Sequence, residues 1–350
     1  MKLTGSPGLC PRGRHLSLSL CALSQNDRIA RLTVGVPVCN GMPWLKESIA
    51  SLFEQTIKHF EILAIVDGGN DDSLAYLRTI NDSRLRILEQ SNRGLTFTLN
   101  RMLRECRTPW LVRQDADDIS HPERLEKIQD AIHCHPDAGM FYSLANYHPR
   151  GRAIGFFRSS RGSPGDLRRI VRSGYLLSIC HSTVALNVRK TLAAGGYRLG
   201  LHNEDADLWW RMALRYDIHC IPEALVGFRQ SPQTVSARNL AEQLTCGFYV
   251  QYLLLSYLLN REPRPVEVVR EHLQAFLPRE ELQAKERLRL FNISMAARGY
   301  NSAAHALWDS LKASPAYVIR RARDEFFCRG HVRNGVDPAL FLEKKDVLWP

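Results

Sequence analysis

Asp115 and Asp117 are separated by a single residue, with Asp118 directly after them, so a bend in the backbone can aim two carboxylates at one locus. Hard oxygen ligands in that arrangement suit Mg2+ or Mn2+ better than softer metals. The same spacing also suits solvated turn acids beside a helix N-terminus, where negative charge is favoured. The flanking sequence puts these acids at a strand end. Trp110, Leu111 and Val112 read as the end of a buried strand, and the polar run from Arg113 to Asp118 cannot continue it into a core. Ser120 with Glu123 makes a capping-box pattern, Pro122 suits a first turn, and Leu125, Ile128, Ala131 and Ile132 mark an apolar face. Together they predict a helix from about His121. The carboxyl ends of strands are where open α/β sheets bind their ligands.

The elements on either side repeat one unit. The apolar run LTVGVPV from Leu32 ends in a turn at Pro37 to Gly41, after which Leu45, Ile49, Leu52 and Phe53 recur at helical spacing. FEILAIV from Phe60 is a second buried strand ending in DGGNDD, and Leu95, Leu99, Met102 and Leu103 mark another helix face before Trp110. Strands alternating with helices of this length predict a parallel α/β sheet with right-handed crossovers. Gly139 to Tyr147 reads as a further strand, and Glu204-Asp205 opens a helix whose Leu208, Trp209 and Met212 face inward. Ile218 to Ile221 and Ala224 to Phe228 are short strand candidates. Between them, Pro149 to Ser173 carries seven arginines against Asp166 and reads as a basic loop facing phosphate, lipid headgroups or plain solvent. From Ala237 onward helical periodicity dominates. Gln243 to Asn260 approaches membrane-spanning length, but Gln243, Thr245, Gln251, Ser256 and Asn260 interrupt it, which predicts a buried helix. Leu288 to Ser314 reads as a helical hairpin turning at Gly299-Tyr300.

Composition narrows the class. A chain of 350 residues with 45% hydrophobic content can bury an active site, and a formal charge of +11 points to an anionic partner. Nine widely spaced cysteines, without C-x-x-C or Cys/His ligand spacing, read as reduced cytosolic thiols. Residues 1–30 read as a disordered or non-native leader rather than a secretory signal, because Ser17 and Ser19 break the apolar run and no small-residue cleavage site follows it.

Four clusters then fall at strand ends or helix starts: Pro37-Val38-Cys39-Asn40, Asp67-Gly68-Gly69, Asp115-Ala116-Asp117-Asp118 and Glu204-Asp205. With VGVPVCNG, FEILAIVDGG, SNRGLTFTLNRML, RQDADDISHPERLEKI, HSTVALNVRKTLAAGGYR, NEDADLWWRM and GFRQSPQTVS, much of Leu32 to Ser236 resembles the family 2 inverting glycosyltransferases of the GT-A group. The resemblance implies a Rossmann-like, mostly parallel α/β catalytic domain over 31–236, followed by an α-helical C-terminal region over 237–350. It implies a nucleotide-diphosphate sugar donor held by Pro37, Val38, Cys39, Asn40, Asp67, Arg93, Asp115 and Ala116. Asp117 would ligate Mn2+ or Mg2+, and Asp205 would be the general base. Glu204, His181 and Trp210 would line the pocket of a saccharide or lipid-linked acceptor. It further implies surface polysaccharide or lipopolysaccharide synthesis at the cytoplasmic side; the basic residues of 150–172 add an expected peripheral membrane contact, and their scatter along the chain no nucleic-acid partner. The chain departs from the pattern at Gly68, where a second acid is common, and at Ser231, where a histidine often stands.

Other classes fit less well. A phosphatase or phosphotransferase with Asp115 as nucleophile usually carries that residue on its first strand, and here three strand candidates, from Leu32, Phe60 and Leu85, precede it. A dehydrogenase needs G-x-G-x-x-G after the first strand, and VPVCNG is not one. A nucleic-acid-binding protein would explain the charge, but the basic residues are scattered and no binding motif accompanies them.

Overall fold

A computed structural model of the chain describes residues 32–148, 157–229, 240–276, 278–296, 298–327 and 332–350. The leader at 1–30 and Ser231 lie outside the described residues. Strands β1 (Leu32–Val38), β2 (Glu61–Asp67), β3 (Leu85–Gln90) and β4 (Trp110–Arg113) lie in the order β3-β2-β1-β4 and are all parallel. Helices α1 (Leu45–Phe53), α2 (Ser73–Thr79) and α3 (Leu95–Glu105) connect them. Both faces of the sheet are covered at β1 and β2, so these two strands are largely apolar rather than alternating. On β2, Ile62, Ala64 and Val66 enter one core cluster, while Leu63 and Ile65 enter the cluster on the opposite face. Gly35 on β1 permits the tight packing of this layer, since a Cβ there would lie 2.9 Å from Leu111 and 3.0 Å from the Met102 sulfur.

The sheet then changes direction. β7 (Val184–Asn187) is antiparallel to both β4 and β6 (Met140–His148), and β8 (Ile218–Arg229) runs parallel to β6. β5 (Ile119–Ser120) pairs antiparallel with β8 and ends an eight-stranded sheet. The two strand candidates at 218–228 are one strand, because pairing with β6 skips Pro222 and Glu223 and then resumes at Ala224.

Two local expectations need correction. Helix α4 (Arg124–Cys134) starts later than His121, and the Ser120/Glu123 capping box does not form. Ser120 is instead a β5 residue whose hydroxyl donates to Gln114 Oε1 at 2.9 Å and accepts from Arg124 Nη1 at 2.9 Å, so it is committed to a buried network. The basic segment is also not loop throughout. Pro164–Arg172 forms helix α5, capped reciprocally by Ser163 and Asp166, with Leu167, Ile170 and Val171 buried. The loop reading at 149–156 lies outside the described residues.

Helix α6 (Val188–Ala193) follows β7, and α7 (Glu204–Arg215) precedes β8. The C-terminal region is helical: α8 (Leu240–Leu258), α9 (Val266–Gln274), α10 (Arg279–Ala296), α11 (Tyr300–Ala313), α12 (Pro315–Phe327), α13 (Pro338–Glu343) and α14 (Lys345–Leu348). Helix α8 joins this region to the sheet layer, with Val250 and Leu254 in one core cluster and Phe248, Tyr252 and Leu255 packed against Phe341, Leu348 and Trp349. Its polar interruptions are ties. Gln251 Nε2 donates to the carbonyls of Gly174 at 2.9 Å and Val336 at 2.7 Å, and Trp349 Nε1 donates to Ser256 Oγ at 2.8 Å. Among the described residues no helix is long and apolar enough to cross a membrane.

Candidate active site

Strand β4 delivers Arg113 into the interior, where its side chain is 0% exposed. A buried guanidinium must spend its donors, and Arg113 does so around the acidic turn. Nη2 donates to Asp115 Oδ1 at 2.5 Å, Nη1 to the Gln114 carbonyl at 2.7 Å and Nε to His181 Nε2 at 3.3 Å. Ser182 holds the other side of Asp115: its hydroxyl donates to Oδ2 at 2.6 Å and accepts from the Asp115 N–H at 3.1 Å. Arg124, from α4, donates to the carbonyls of both Arg113 and Ser182 and so clamps β4 to the turn at His181–Thr183. The end of β8 reaches the same place, where the Arg229 N–H donates to Asp118 Oδ1 at 2.8 Å and its Nε to the Asp117 carbonyl at 2.9 Å.

Glu204 and Asp205 open α7, where a helix N-terminus favours acids. Asp205 Oδ1 accepts from the Ala206 N–H at 2.7 Å. Glu204 Oε1 lies 4.0 Å from His181 Nδ1, and His181 Nε2 lies 2.9 Å from the Tyr197 hydroxyl. Asp115, His181, Glu204 and Asp205 line one cavity of about 1260 Å3, and Arg93 and Trp209 share its wall.

Burial sets apart the protonation of these groups. It pushes Asp205 up to about 6, and, with the Asp205 charge alongside, pushes Glu204 up to about 8. Burial and the Arg113 charge push His181 down to about 3, so its ring is neutral; because Arg113 donates to Nε2, the ring proton belongs on Nδ1, toward Glu204. Burial alone would raise Asp115, but the Arg113 charge together with the hydrogen bonds from Ser182 and Arg113 overcomes it and holds the carboxyl at about 2. Asp117 is pushed up to about 6 by burial and by the ionised Asp115 beside it. Asp118 is raised by burial and by both neighbours.

A family model described as Glycosyl transferase family 2 matches residues 33–193. An uncharacterized glycosyltransferase of Haemophilus influenzae is 30% identical over 209 residues, spanning 57% of this chain and 75% of that protein. The chain belongs to glycosyl transferase family 2. It is also 28% identical over 200 residues to the amylovoran biosynthesis glycosyltransferase AmsE of Erwinia amylovora, covering 56% of this chain and 74% of AmsE. The O-antigen biosynthesis glycosyltransferase WbnJ of Escherichia coli is 28% identical over 207 residues, covering 55% and 77% respectively. Among solved structures, S. aureus TarS 1–349 superposes with a TM-score of 0.53 at 15% identity over 81% of this chain and 92% of TarS, a likeness of fold.

In this family 2 chain the other site residues expected from sequence are placed as follows. Pro37 and Val38 are buried in β1, while Cys39 and Asn40 are exposed at its carboxyl end. Asn40 Oδ1 accepts from the Asn70 N–H at 2.8 Å, so the turns after β1 and β2 are joined. Asp67 is 4% exposed and accepts from Gln90 Nε2 at 2.7 Å and from the N–H groups of Arg93 at 2.8 Å and Gly94 at 2.9 Å. It therefore shapes the loop before α3. The Arg93 guanidinium stacks on Phe97 at 3.6 Å. Ala116 is half-buried and packs on the core cluster of β1. Trp210 is 2% exposed, beneath Arg198 and against Tyr257, and is not among the residues lining the cavity. Nor is Asp117, whereas Asp115 is.

Among the described residues no group of three or more His, Cys, Asp or Glu side chains is gathered to hold a metal. A small divalent ion carried by nucleotide phosphates needs only one or two carboxylates from the protein. Asp117, half-buried and raised beside an ionised neighbour, fits that part, since a cation relieves the repulsion that holds its proton. Sequence reasoning missed Arg113, Ser182 and Tyr197. The one available signal for Arg113 was a charged residue closing an otherwise apolar strand.

Proposed function

We propose that this chain is an inverting glycosyltransferase that moves a sugar from a nucleotide-diphosphate donor to a saccharide or lipid-linked acceptor. The observation that carries this reading is the single cavity lined by Asp115, Glu204 and Asp205. A carboxyl at about 6 is ionised at neutral pH and still basic enough to accept a proton, whereas Glu204 at about 8 keeps its own. Asp205 takes the proton of the acceptor hydroxyl while that oxygen attacks the anomeric carbon. The new C–O bond forms on the face opposite the breaking bond to the diphosphate, so the centre inverts.

The exposed turn at Cys39 and Asn40, with the loop that Asp67 shapes, receives the nucleotide base. Asp115, held on both oxygens, orients the donor, and Asp117 holds Mn2+ or Mg2+. When bound, the cation neutralises the diphosphate leaving group. TarS, which shares the fold, has been crystallised with UDP-GlcNAc, and the names of AmsE and WbnJ support surface polysaccharide or O-antigen assembly as the setting. Free thiols at all six described cysteines support a reducing compartment. The catalytic part is residues 31–236, and Leu240, Leu288 and Tyr317 of the C-terminal region 237–350 contribute to the cavity wall.

The test is a thermal-shift screen of UDP, GDP, CMP and dTDP sugars with and without Mn2+. One diphosphate nucleotide stabilises the protein in a metal-dependent way; an unchanged melting temperature across all of them overturns the reading.

A further inference from the structure

The turn after β4 that carries Asp115, Asp117 and Asp118 is gripped by its main chain, and two neighbouring residues of α1 stand behind the grip. Ser48 acts directly, since its hydroxyl donates to the Asp115 carbonyl at 3.0 Å. Glu47 acts through Arg229, the last residue of β8. Arg229 Nη2 donates to the Glu47 carboxylate, Nε to the Asp117 carbonyl at 2.9 Å, and the Arg229 N–H to Asp118 Oδ1 at 2.8 Å. The guanidinium also lies over the Trp44 ring, 4.1 Å from its centroid, just ahead of α1. The side chain of Arg229 is 8% exposed and that of Glu47 52%, so the pair reaches from the buried end of β8 to the surface. Glu47 Oε1 in turn lies 3.3 Å from Nε2 of His148, which stands beside Arg229 in the β6–β8 register. A guanidinium held by an ion pair, a ring face and the turn itself has little freedom left.

Arg229 bonds to the carbonyl of Asp117 and not to its carboxylate. The contact fixes the backbone from which that side chain springs and leaves its oxygens to a ligand. Outer partners of this kind orient metal ligands, and their loss typically weakens metal binding by roughly ten- to a hundredfold. We propose that Arg229 is a positioning residue for the cation: by tying Asp117 to α1 through Glu47, it holds that carboxylate in place for the metal that accompanies the donor's diphosphate. This rests on the reading of Asp117 as a metal ligand. The same tie joins the acidic turn to the helix that follows Cys39 and Asn40, so the two ends of the donor site are set on one frame.

The test is titration calorimetry on the full chain with UDP, GDP and dTDP, each in Mn2+ and again in EDTA. The ratio of the two affinities measures the metal's contribution apart from contacts to the base. For the nucleotide that the wild type binds best, Arg229→Gln lowers affinity in Mn2+ about tenfold and leaves affinity in EDTA within about twofold. Arg229→Lys restores the charge but not the fork, and recovers only part of the metal effect. Glu47→Gln shifts the ratio in the same direction, and the Glu47→Gln/Arg229→Gln double variant is no worse than Arg229→Gln, because the two residues act in series. If Arg229→Gln fails to fold, the surface variant Glu47→Gln carries the expectation by itself. Unchanged affinity in Mn2+ overturns the proposal. A parallel fall in Mn2+ and EDTA also overturns it, by making Arg229 a general support or a direct donor contact, and additive losses in the double variant overturn the tie through Glu47. A wild type that binds none of the three nucleotides defeats the underlying glycosyltransferase reading, and one that binds equally in Mn2+ and EDTA defeats Asp117 as a metal ligand; the proposal falls with either.

Discussion

The Arg113 guanidinium meets Asp115 at 2.5 Å at the end of β4, with no exposure of its own, and this contact makes the acids of the turn unequal. Asp115 stays ionised at about 2, and its charge helps hold Asp117 and Asp205 near 6. The charge of one residue thus adds to burial in raising the proton affinity of a metal-ligand candidate on one side and of a general-base candidate on the other.

Arg113→Met removes the only guanidinium bonded to Asp115 among the described residues and leaves that carboxylate short of charge compensation. Loss of one partner of such a pair costs on the order of 3 kcal/mol. Urea unfolding is expected to show that drop with an unchanged slope, and the Asp115→Asn/Arg113→Met double variant to recover part of it. Additive losses would mean that the two side chains do not depend on each other.

Asp205→Asn is expected to retain nucleotide binding and lower transfer by about a hundredfold or more. In the wild type, kcat/KM rises with pH through about 6 and then levels, following ionisation of the Asp205 carboxyl. A profile that is flat between pH 5 and pH 7 would remove Asp205 from its role.

Asp117→Ala is expected to abolish the metal dependence of nucleotide stabilisation while leaving the melting temperature without ligand unchanged or slightly higher, because the substitution removes a half-buried acid whose proton is held by repulsion. Thermal shifts with and without Mn2+ read both. Persistence of the metal effect moves the cation site elsewhere.

Glu204 offers a stability test that needs no substrate. Its carboxyl is raised from the ordinary 4.5 to about 8 in the folded protein, so the folded state holds this proton more tightly than the unfolded chain. The corresponding stability is present in full below 4.5 and is lost as pH climbs toward 8. Glu204→Gln cannot ionise, and is therefore expected to melt higher than wild type at pH 8, by roughly 2–4 °C for each kcal/mol relieved, with the gap closing near pH 5. A gap that is constant with pH would place the effect in packing.

Gln251 is one tie between the catalytic layer and the C-terminal region, since its amide also accepts from the Val336 N–H at 2.9 Å. Gln251→Leu strands that N–H and two carbonyls, at a cost of about 1–3 kcal/mol for a buried group left unpaired. Limited proteolysis is expected to release the C-terminal segment earlier in this variant; an unaltered cleavage pattern would show that the apolar contacts of α8 suffice.

The alternation of apolar strands and amphipathic helices was legible in the sequence because each depends on residues a few positions apart: LTVGVPV, FEILAIV and the faces of α1 and α3 lie where their periodicities put them. The acid clusters were legible for the same reason, since a strand that ends in charge must surface there. Helix α5 was hidden because its arginines are as many as its buried apolar residues, and only packing against α7 and the core reveals Leu167, Ile170 and Val171 as one buried face. What tertiary structure alone decided was which acids meet which bases. Ser182 reaches Asp115 across 67 positions, and Lys285 faces a cavity that Asp205 opens. Such contacts follow from the order of strands in the sheet and the return of the C-terminal helices, and no short-range periodicity encodes either. Trp209 and Trp210 make the point within one helix, where both enter the core cluster but a step of about 100° leaves Trp209 alone of the two also lining the cavity.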